Sequence, residues 1–571
     1  MDFKQIKANL KKDFTGLKKV KVAILADSST QYLAQAIRGI GYEKKLDIEI
    51  WEAEYDAIDL TISDISSELY AFKPDFTFLF LSSSKLQKKF YKSGYSSDFS
   101  GDILEYYKKV TEVMSSHIKT NYLIVNFPDK LDSVFGHYAG KVNSSFSYQV
   151  KKINISLMDW AQNNAAVSII DLCGLQAMYG NAFVTDTRLY ISSDAIFSLD
   201  FTIKLAENCV QVLEAFTGGS KKCLILDLDN TLWGGIIGDD GLENIQIGDL
   251  GIGKAFTEIQ LWAKALKDRG IILAVCSKND EINAKEPFDK HPDMVLHSDD
   301  IAIFIANWSN KHDNIKYIQS VLNIGLDSMV FIDDNPFERN MVRQFLPEVL
   351  VPELPEDPAD YLPYLNSLNI FETNAYTEED KDRTQLYKAE ALRNDASRSY
   401  TSEVDFLKSL DMISEVKPFD AFTIPRVAQL TQRSNQFNLR TIRYTEEDVK
   451  RIATDNNKYH TFSFTLADKY GNHGLIGVII LEKKDKEALF VDTWIMSCRV
   501  LKRTMEQFML NEIVQYATRH KFKQIEGEYI ETRKNGMVRE HYKNLGFTAK
   551  DNKWILSIDN YDTKTCYITN A

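Results

Sequence analysis

The sequence is poor in the features that would mark a secreted, membrane-spanning or nucleic-acid-binding protein. Its six cysteines, Cys173, Cys209, Cys223, Cys276, Cys498 and Cys566, stand singly in 571 residues, with no CxxC pair and no spacing suited to a disulfide framework or a zinc site. A reducing, cytoplasmic compartment is the simplest reading. No apolar run reaches the length of a membrane span, and the basic N-terminus MDFKQIKANLKKDFTGLKK is interrupted too often to hold a signal core. Excess positive charge is also missing: the formal net charge is −13, which disfavours nonspecific attraction to nucleic-acid phosphates. Neither nucleic acid nor membrane is therefore expected as a partner.

What is there reads as an ordinary globular chain. Hydrophobic residues at 44% and charged residues at 26% supply real cores and leave little room for extended disorder. The length exceeds what one hydrophobic core supports, so several domains are expected.

KVAILAD at 21–27 reads as a buried strand, and STQYLAQAIRGIG after it as a helix opened by a Ser/Thr cap and closed by Gly41. DIEIWEA, DFTFLFL and TNYLIVNFP continue the alternation of strand and helix, which predicts a parallel α/β domain over residues 1–217. A second α/β block over 218–375 has its strands at CLILDLD, IILAVCS and SMVFIDD and gives out near Pro347, Pro352, Pro355 and Pro358, which lack backbone donors. Residues 376–571 begin with a charged helical stretch. The strands FSFTLADKYG, GLIGVIILEKK and ALFVDTWIMS and the amphipathic RTMEQFMLNEIVQYATRH then predict an α+β domain.

The chemistry concentrates in the second block, where three strand ends carry polar residues, and in an open parallel sheet ligands bind at the carboxyl ends of strands. Asp227 and Asp229 alternate on the first strand exit, so both can turn toward one site while Leu228 points away. VCSKND offers the Ser277 hydroxyl, FIDDN adds Asp333 and Asp334, and NWSNKHDNI contributes Lys311. Phosphoryl transfer needs a nucleophile, an acid/base, a hard cation with oxygen ligands, and donors for the equatorial oxygens. Carboxylates crowded this closely raise one another's pKa unless a cation neutralises them, which points to bound Mg²⁺. An Asp-rich strand end with a helix cap accounts for DxDxT taken alone. It does not account for the ordered set of DxDxT, Ser, Lys and DD.

These residues resemble the four motifs of the haloacid-dehalogenase superfamily. LDLDNTLWGGIIGDDGLENIQIG, AVCSKND, NWSNKHDNI and VFIDDNPFER resemble in particular its FkbH-like branch, also described as subfamily IIIC phosphatases. The resemblance implies that Asp227 attacks phosphorus to give an aspartyl-phosphate and that Asp229 acts as general acid and then base. It further implies that Asp227, the Asp229 backbone carbonyl and Asp333 hold Mg²⁺, with Asp334 acting directly or through water, and that Ser277 and Lys311 bind phosphoryl oxygens. About 40 residues separate Asp229 from the next strand, too few for a large cap domain, so the site is expected to be open. Some members of the branch load a glyceryl unit from 1,3-bisphosphoglycerate onto an acyl carrier protein through a thiol, and in some a cysteine lies between the motif aspartates. Here Leu228 occupies that position, and Cys276 is the nearest substitute.

The flanking blocks carry weaker signals. MSCRVLKRTMEQFML and the later EYIETRKNGMVREHYKNLGF resemble an acetyltransferase-like (GNAT) fold, yet Arg499, Lys502 and Arg503 stand where that fold's loop carries glycines, which would keep backbone away from a pyrophosphate. A structural or carrier-docking role is expected there, with the three cations meeting an acidic partner. ADSST resembles the serine block of SGNH hydrolases, with Ser28 or Ser29 as nucleophile, but the SSDAIFS segment has no histidine and His137 is the nearest candidate base. GDLGIGKA satisfies GxxxxGK, but Ala255 has no hydroxyl for Mg²⁺ and no clean strand precedes it.

The expected function is Mg²⁺-dependent phosphatase or phosphotransferase chemistry on a small phosphorylated metabolite. The competing readings are glyceryl transfer to an acyl carrier protein and a catalytically vestigial scaffold that binds carriers.

Overall fold

The computed structural model describes all residues except 131, 378, 379, 382, 398, 486, 498, 499, 533, 552 and 560. Cys498 and Arg499 therefore lie outside the described residues. The chain forms two compact units, Met1–Glu214 and Ala215–Ala571. Among the described residues no helix is long and apolar enough to cross a membrane.

The first unit is an α/β layer structure. Its strands are β1 (Lys18–Ala26), β2 (Leu46–Glu52), β3 (Phe76–Phe80), β4 (Asn121–Val125) and β5 (Val167–Ile170), all parallel in the order β2-β1-β3-β4-β5. Every residue of β3 is buried, as helices on both faces of a parallel sheet require. The helix Gln31–Glu43, which follows β1, differs from expectation at both ends. Thr30 makes no cap bond; its hydroxyl donates to Glu52 at 2.6 Å. The helix also runs through Gly41 to Glu43. That glycine lies against β2, where a Cβ would collide with Ile48, so it serves close helix–sheet packing and not a stop.

The second unit opens with β6 (Cys223–Leu226), β7 (Ile272–Ser277), β8 (Ile301–Ala306) and β9 (Met329–Ile332), parallel in the order β8-β7-β6-β9. Side-chain alternation feeds two separate cores. Leu224, Leu226, Leu273 and Val275 pack on one face with Trp233, Phe256 and Phe288, while Cys223, Ile225, Ala274 and Cys276 pack on the other with Ile315, Ile318 and Phe331. Covering both faces forces these strands to be apolar along their length, so polar residues appear only at or past their ends, as Ser277 does at the last position of β7.

A second sheet follows: β10 (Met412–Ser414), β11 (Val416–Lys417), β12 (Tyr459–Asp468), β13 (Gly471–Lys483), β14 (Ala488–Met496), β15 (Gln524–Gly527), β16 (Thr548–Lys550), β17 (Lys553–Ser557) and β18 (Ile568–Asn570). Its order is β16-β17-β15-β14-β13-β12-β10-β18, with β11 beside β12, mostly antiparallel. The helix Met505–Arg519 lays Phe508, Met509 and Ile513 on this sheet's core. Buried charge joins the two sheets. Asp380 receives Arg383, Arg433 and Gln429, while Arg383 also donates to the Gly270 carbonyl and Lys222 to the Arg433 carbonyl.

Candidate active site

The strand register of the first sheet in the second unit brings the motif residues to one edge. Leu226 pairs with Val275 on one side and Ile332 on the other, so Asp227, Ser277 and Asp333 all emerge at the carboxyl ends of adjacent strands. The backbone N–H of Asp227 still donates to Ile332 at 3.0 Å, which fixes the two aspartates side by side. Lys311 opens the helix Lys311–Leu322 after β8 and reaches across to them. Its Nζ lies 2.9 Å from Asp227 Oδ2 and 2.5 Å from Asp333 Oδ2.

Asp227, Asp333 and Asp334 offer carboxylate oxygens that all lie within 4.8 Å of one another. Asp227, Asp333 and Lys311 are almost wholly buried. Burial, then the Asp227 charge, pushes Asp333 up to about 7 and Asp334 up to about 6, with Lys311 opposing. Burial alone would lower the lysine, but the Asp227 and Asp333 carboxylates more than offset it and hold it protonated. Three acids thus face one cation in low dielectric, and Asp227 Oδ1 is buried with no hydrogen-bond partner. A hard divalent cation that takes oxygen ligands fits this donor set and its shortage of positive charge.

Asp229 has a different environment. Trp233 Nε1 and the Ile237 N–H each donate to its Oδ1 at 3.0 Å, and Asn279 Nδ2 donates to its Oδ2 at 2.8 Å. Burial raises its pKa while the Ile237 and Trp233 donors oppose the rise. Its carboxylate does not belong to the Asp227–Asp333–Asp334 group, so only its backbone carbonyl is left for the ligand role that the resemblance implies. Leu228 is fully buried in the core, pointing away as the alternation requires.

Several residues inside the motifs are given no role by the sequence reading. Thr231 Oγ1 accepts the Asp334 N–H at 3.1 Å. Arg339 donates to the Asp333 and Asp334 carbonyls at 2.9 and 2.6 Å, and Lys278 pairs with Glu338 at 2.6 Å, tying the loop after β7 to the helix after β9. Between Asp229 and β7 there are only the short helix Ile237–Asp240 and the helix Gly253–Asp268, so no cap domain is inserted. The GxxxxGK segment supplies the start of the latter helix, with no strand before it. Ile236, Ile282, Trp308 and Phe337 follow the four strand ends in turn, and all are exposed.

Other expected residues fare differently. Cys276 is fully buried on the other face of the sheet, its Sγ 3.7 Å from the Lys311 carbonyl, and burial drives its thiol pKa far up. Arg503 does not present its charge to a partner as expected. It is buried and bonds to Glu390, Asp468 and His473 inside the second unit, and only Lys502 of the described cations in that loop is exposed. In the first unit Ser28 is buried with an unpartnered Oγ, Ser29 is half-buried, and His137 is exposed on a 3₁₀ turn.

A four-stranded parallel sheet with paired aspartates at one strand end, two more at its neighbour's and a lysine between them defines a phosphatase domain of the haloacid-dehalogenase type. Residues 21–214 match the model of the family described as FkbH, N-terminal domain. The chain is also similar to the crystal structure of the N-terminal part of the protein BF1531 from Bacteroides fragilis, containing a phosphatase domain and complexed with Mg. The identity there is 50%, over 66% of this chain and 100% of that one, with a TM-score of 0.64. The chain belongs to the FkbH-like family. Spermidine N-acetyltransferase from Vibrio cholerae aligns with 26% of this chain and 97% of its own at 11% identity and a TM-score of 0.21. The ribosomal-protein-S18-alanine N-acetyltransferase from Escherichia coli aligns with 27% of this chain and 99% of its own, also at 11% and 0.21. Likeness at that level assigns nothing to this chain. No curated protein matches it.

Proposed function

We propose that this chain is a Mg²⁺-dependent phosphatase or phosphotransferase that works through an aspartyl-phosphate on Asp227. The observation that carries the reading is the buried trio Asp227, Asp333 and Asp334 around Lys311, with one Asp227 oxygen left without a protein partner. Asp227, Asp333, Asp334 and the Asp229 carbonyl would hold the metal, in keeping with the Mg in the related Bacteroides fragilis structure. When bound, Mg²⁺ neutralises the clustered carboxylates and draws charge from the phosphoryl oxygens.

In the first step an Asp227 carboxylate oxygen bonds to phosphorus and the bond to the leaving oxygen breaks. The leaving oxygen keeps the electron pair and takes a proton from Asp229, departing as an alcohol. Lys311 and Ser277 hold the equatorial oxygens meanwhile. In the second step Asp229 removes a proton from water, whose oxygen bonds to phosphorus as the acyl-phosphate bond breaks and restores Asp227. The substrate is a small phosphorylated metabolite entering an uncapped site.

Glyceryl transfer to an acyl carrier protein is the less favoured activity, because Leu228 and the buried Cys276 offer no reactive thiol beside the aspartates. We read residues 1–217 as an SGNH-like domain without hydrolysis, since Ser28 has no base bonded to it, and 376–571 as a GNAT-like domain without acetyl transfer. The test is a phosphoester panel with and without Mg²⁺, using wild type and Asp227→Asn. Phosphate release that needs Mg²⁺ and is abolished in the variant is expected. Activity retained by the variant would sink the nucleophile assignment, and silence across the panel would favour the vestigial scaffold.

A further inference from the structure

We propose that Asn279 is a positioning residue that holds Asp229 ready to protonate the leaving group; the proposal rests on the phosphatase reading above. A carboxylate has about four lone-pair sites, two on each oxygen. Both sites on Oδ1 are used, by Trp233 Nε1–H and the Ile237 backbone N–H at 3.0 Å each. The Asn279 amide takes one site on Oδ2 at 2.8 Å. One lone pair remains on Oδ2, so that atom carries the proton when Asp229 is the acid, and Asn279 sets the direction in which the proton lies.

The surroundings fit that task. Asn279 is 5% exposed and sits two residues past β7, on a loop that Lys278 fastens to Glu338 at 2.6 Å. Trp233 is fully buried, with its ring edge-on to Phe288. The donors thus come from rigid ground on two loops, one following β6 and one following β7. Two fix Oδ1 and stop the carboxyl from rotating; the third reaches the oxygen that works. Without Asn279 the carboxyl keeps its Oδ1 anchors, and the acid proton loses its fixed direction.

Leaving-group dependence separates this role from a structural one. An alkoxide needs its proton as it departs, whereas p-nitrophenolate leaves without one, and kcat/KM reports only the steps through leaving-group expulsion. We expect Asn279→Leu, close in size, to lower kcat/KM for an alkyl phosphate such as glycerol phosphate by about tenfold or more, and for p-nitrophenyl phosphate by less than about threefold. Asn279→Asp, which replaces the donor with an acceptor, should give the same split, and KM should move less than kcat in both. Equal losses on the two substrates, or no loss, in variants that melt within a few degrees of wild type would overturn the proposal and leave the phosphatase reading standing. If Asn279→Leu fails to fold, Asn279→Asp decides the matter alone. If wild type cleaves neither substrate class across the panel, the phosphatase reading itself fails and takes the proposal with it.

Discussion

Replacing Lys311 with methionine keeps the length of the side chain and removes its charge from among the three acids. At an effective dielectric of ~20, the contacts at 2.9 Å to Asp227 and 2.5 Å to Asp333 are each worth about 6 kcal/mol of gross attraction. The buried lysine's own desolvation cancels much of that, and removing one partner from a buried ion pair costs about 3–5 kcal/mol net. At about 2 °C per kcal/mol for a unit of this size, Tm in metal-free buffer should fall by about 6–10 °C. The lysine also competes with a cation for the same carboxylate oxygens. Mg²⁺ should therefore bind the variant more tightly, each tenfold gain adding about 1.4 kcal/mol of stabilisation at saturation. Calorimetric melts at pH 8, above the raised values of Asp333 and Asp334, with EDTA and with excess MgCl₂, measure both effects. A drop in Tm under about 2 °C, or a Mg²⁺-induced rise no larger than that of wild type, would refute the charge balance drawn here.

Two buried histidines should make acid destabilise the second unit, against the opposite contribution of Asp333 and Asp334, whose raised values favour the folded state as pH falls. Burial holds His541 down at about 3 and His473 at about 4, so below pH 6.5 the unfolded chain binds protons that the folded one refuses, and stability falls with pH. Between pH 6.5 and 5 each site contributes a loss of up to about 2 kcal/mol. His541→Phe should flatten the fall in Tm over that window, and an unchanged slope would count against it. The Asp468 carboxylate is buried and receives two bonds from Arg393 at 2.6 and 2.9 Å as well as one from Arg503. Asp468→Ala should cost about 3 kcal/mol, the low end for a broken buried ion pair, because two buried guanidinium groups are left to share Glu390; denaturant melts read the loss. Cys276→Ala should leave phosphate release within about threefold of wild type, because the thiol is packed away from the chemistry; the native protein's Cys276 should also resist a thiol reagent until unfolded. Loss of activity in that variant would revive a thiol step.

The sequence alone determined four of the five strands of the first parallel sheet and three of the four of the second, leaving out β5 and β8, and it determined the chemistry at the ends of the second. A strand buried on both faces must be continuously apolar, so Asp227, Asp229, Ser277, Asp333 and Asp334 could only be strand exits, and their order restricted what they do. Terminal details were less legible. Thr30 could cap a helix or bond elsewhere, and Glu52, brought alongside by strand pairing, took its hydroxyl.

Tertiary structure decided the partners. Asn279 lies 50 residues from Asp229, Thr231 meets Asp334 across 103, and Arg503 finds Glu390 across 113. No local spacing encodes such contacts, because they exist only once the sheet closes and water is excluded. That exclusion also sets the charge balance: in water the three acids and Lys311 would ionise independently, and only burial makes the missing positive charge costly enough to call for a metal. Arg503 shows the same rule in reverse. By sequence it was a cation free for a partner; folding spent it on Asp468 and Glu390, where leaving either carboxylate unpaired in the interior would have cost more.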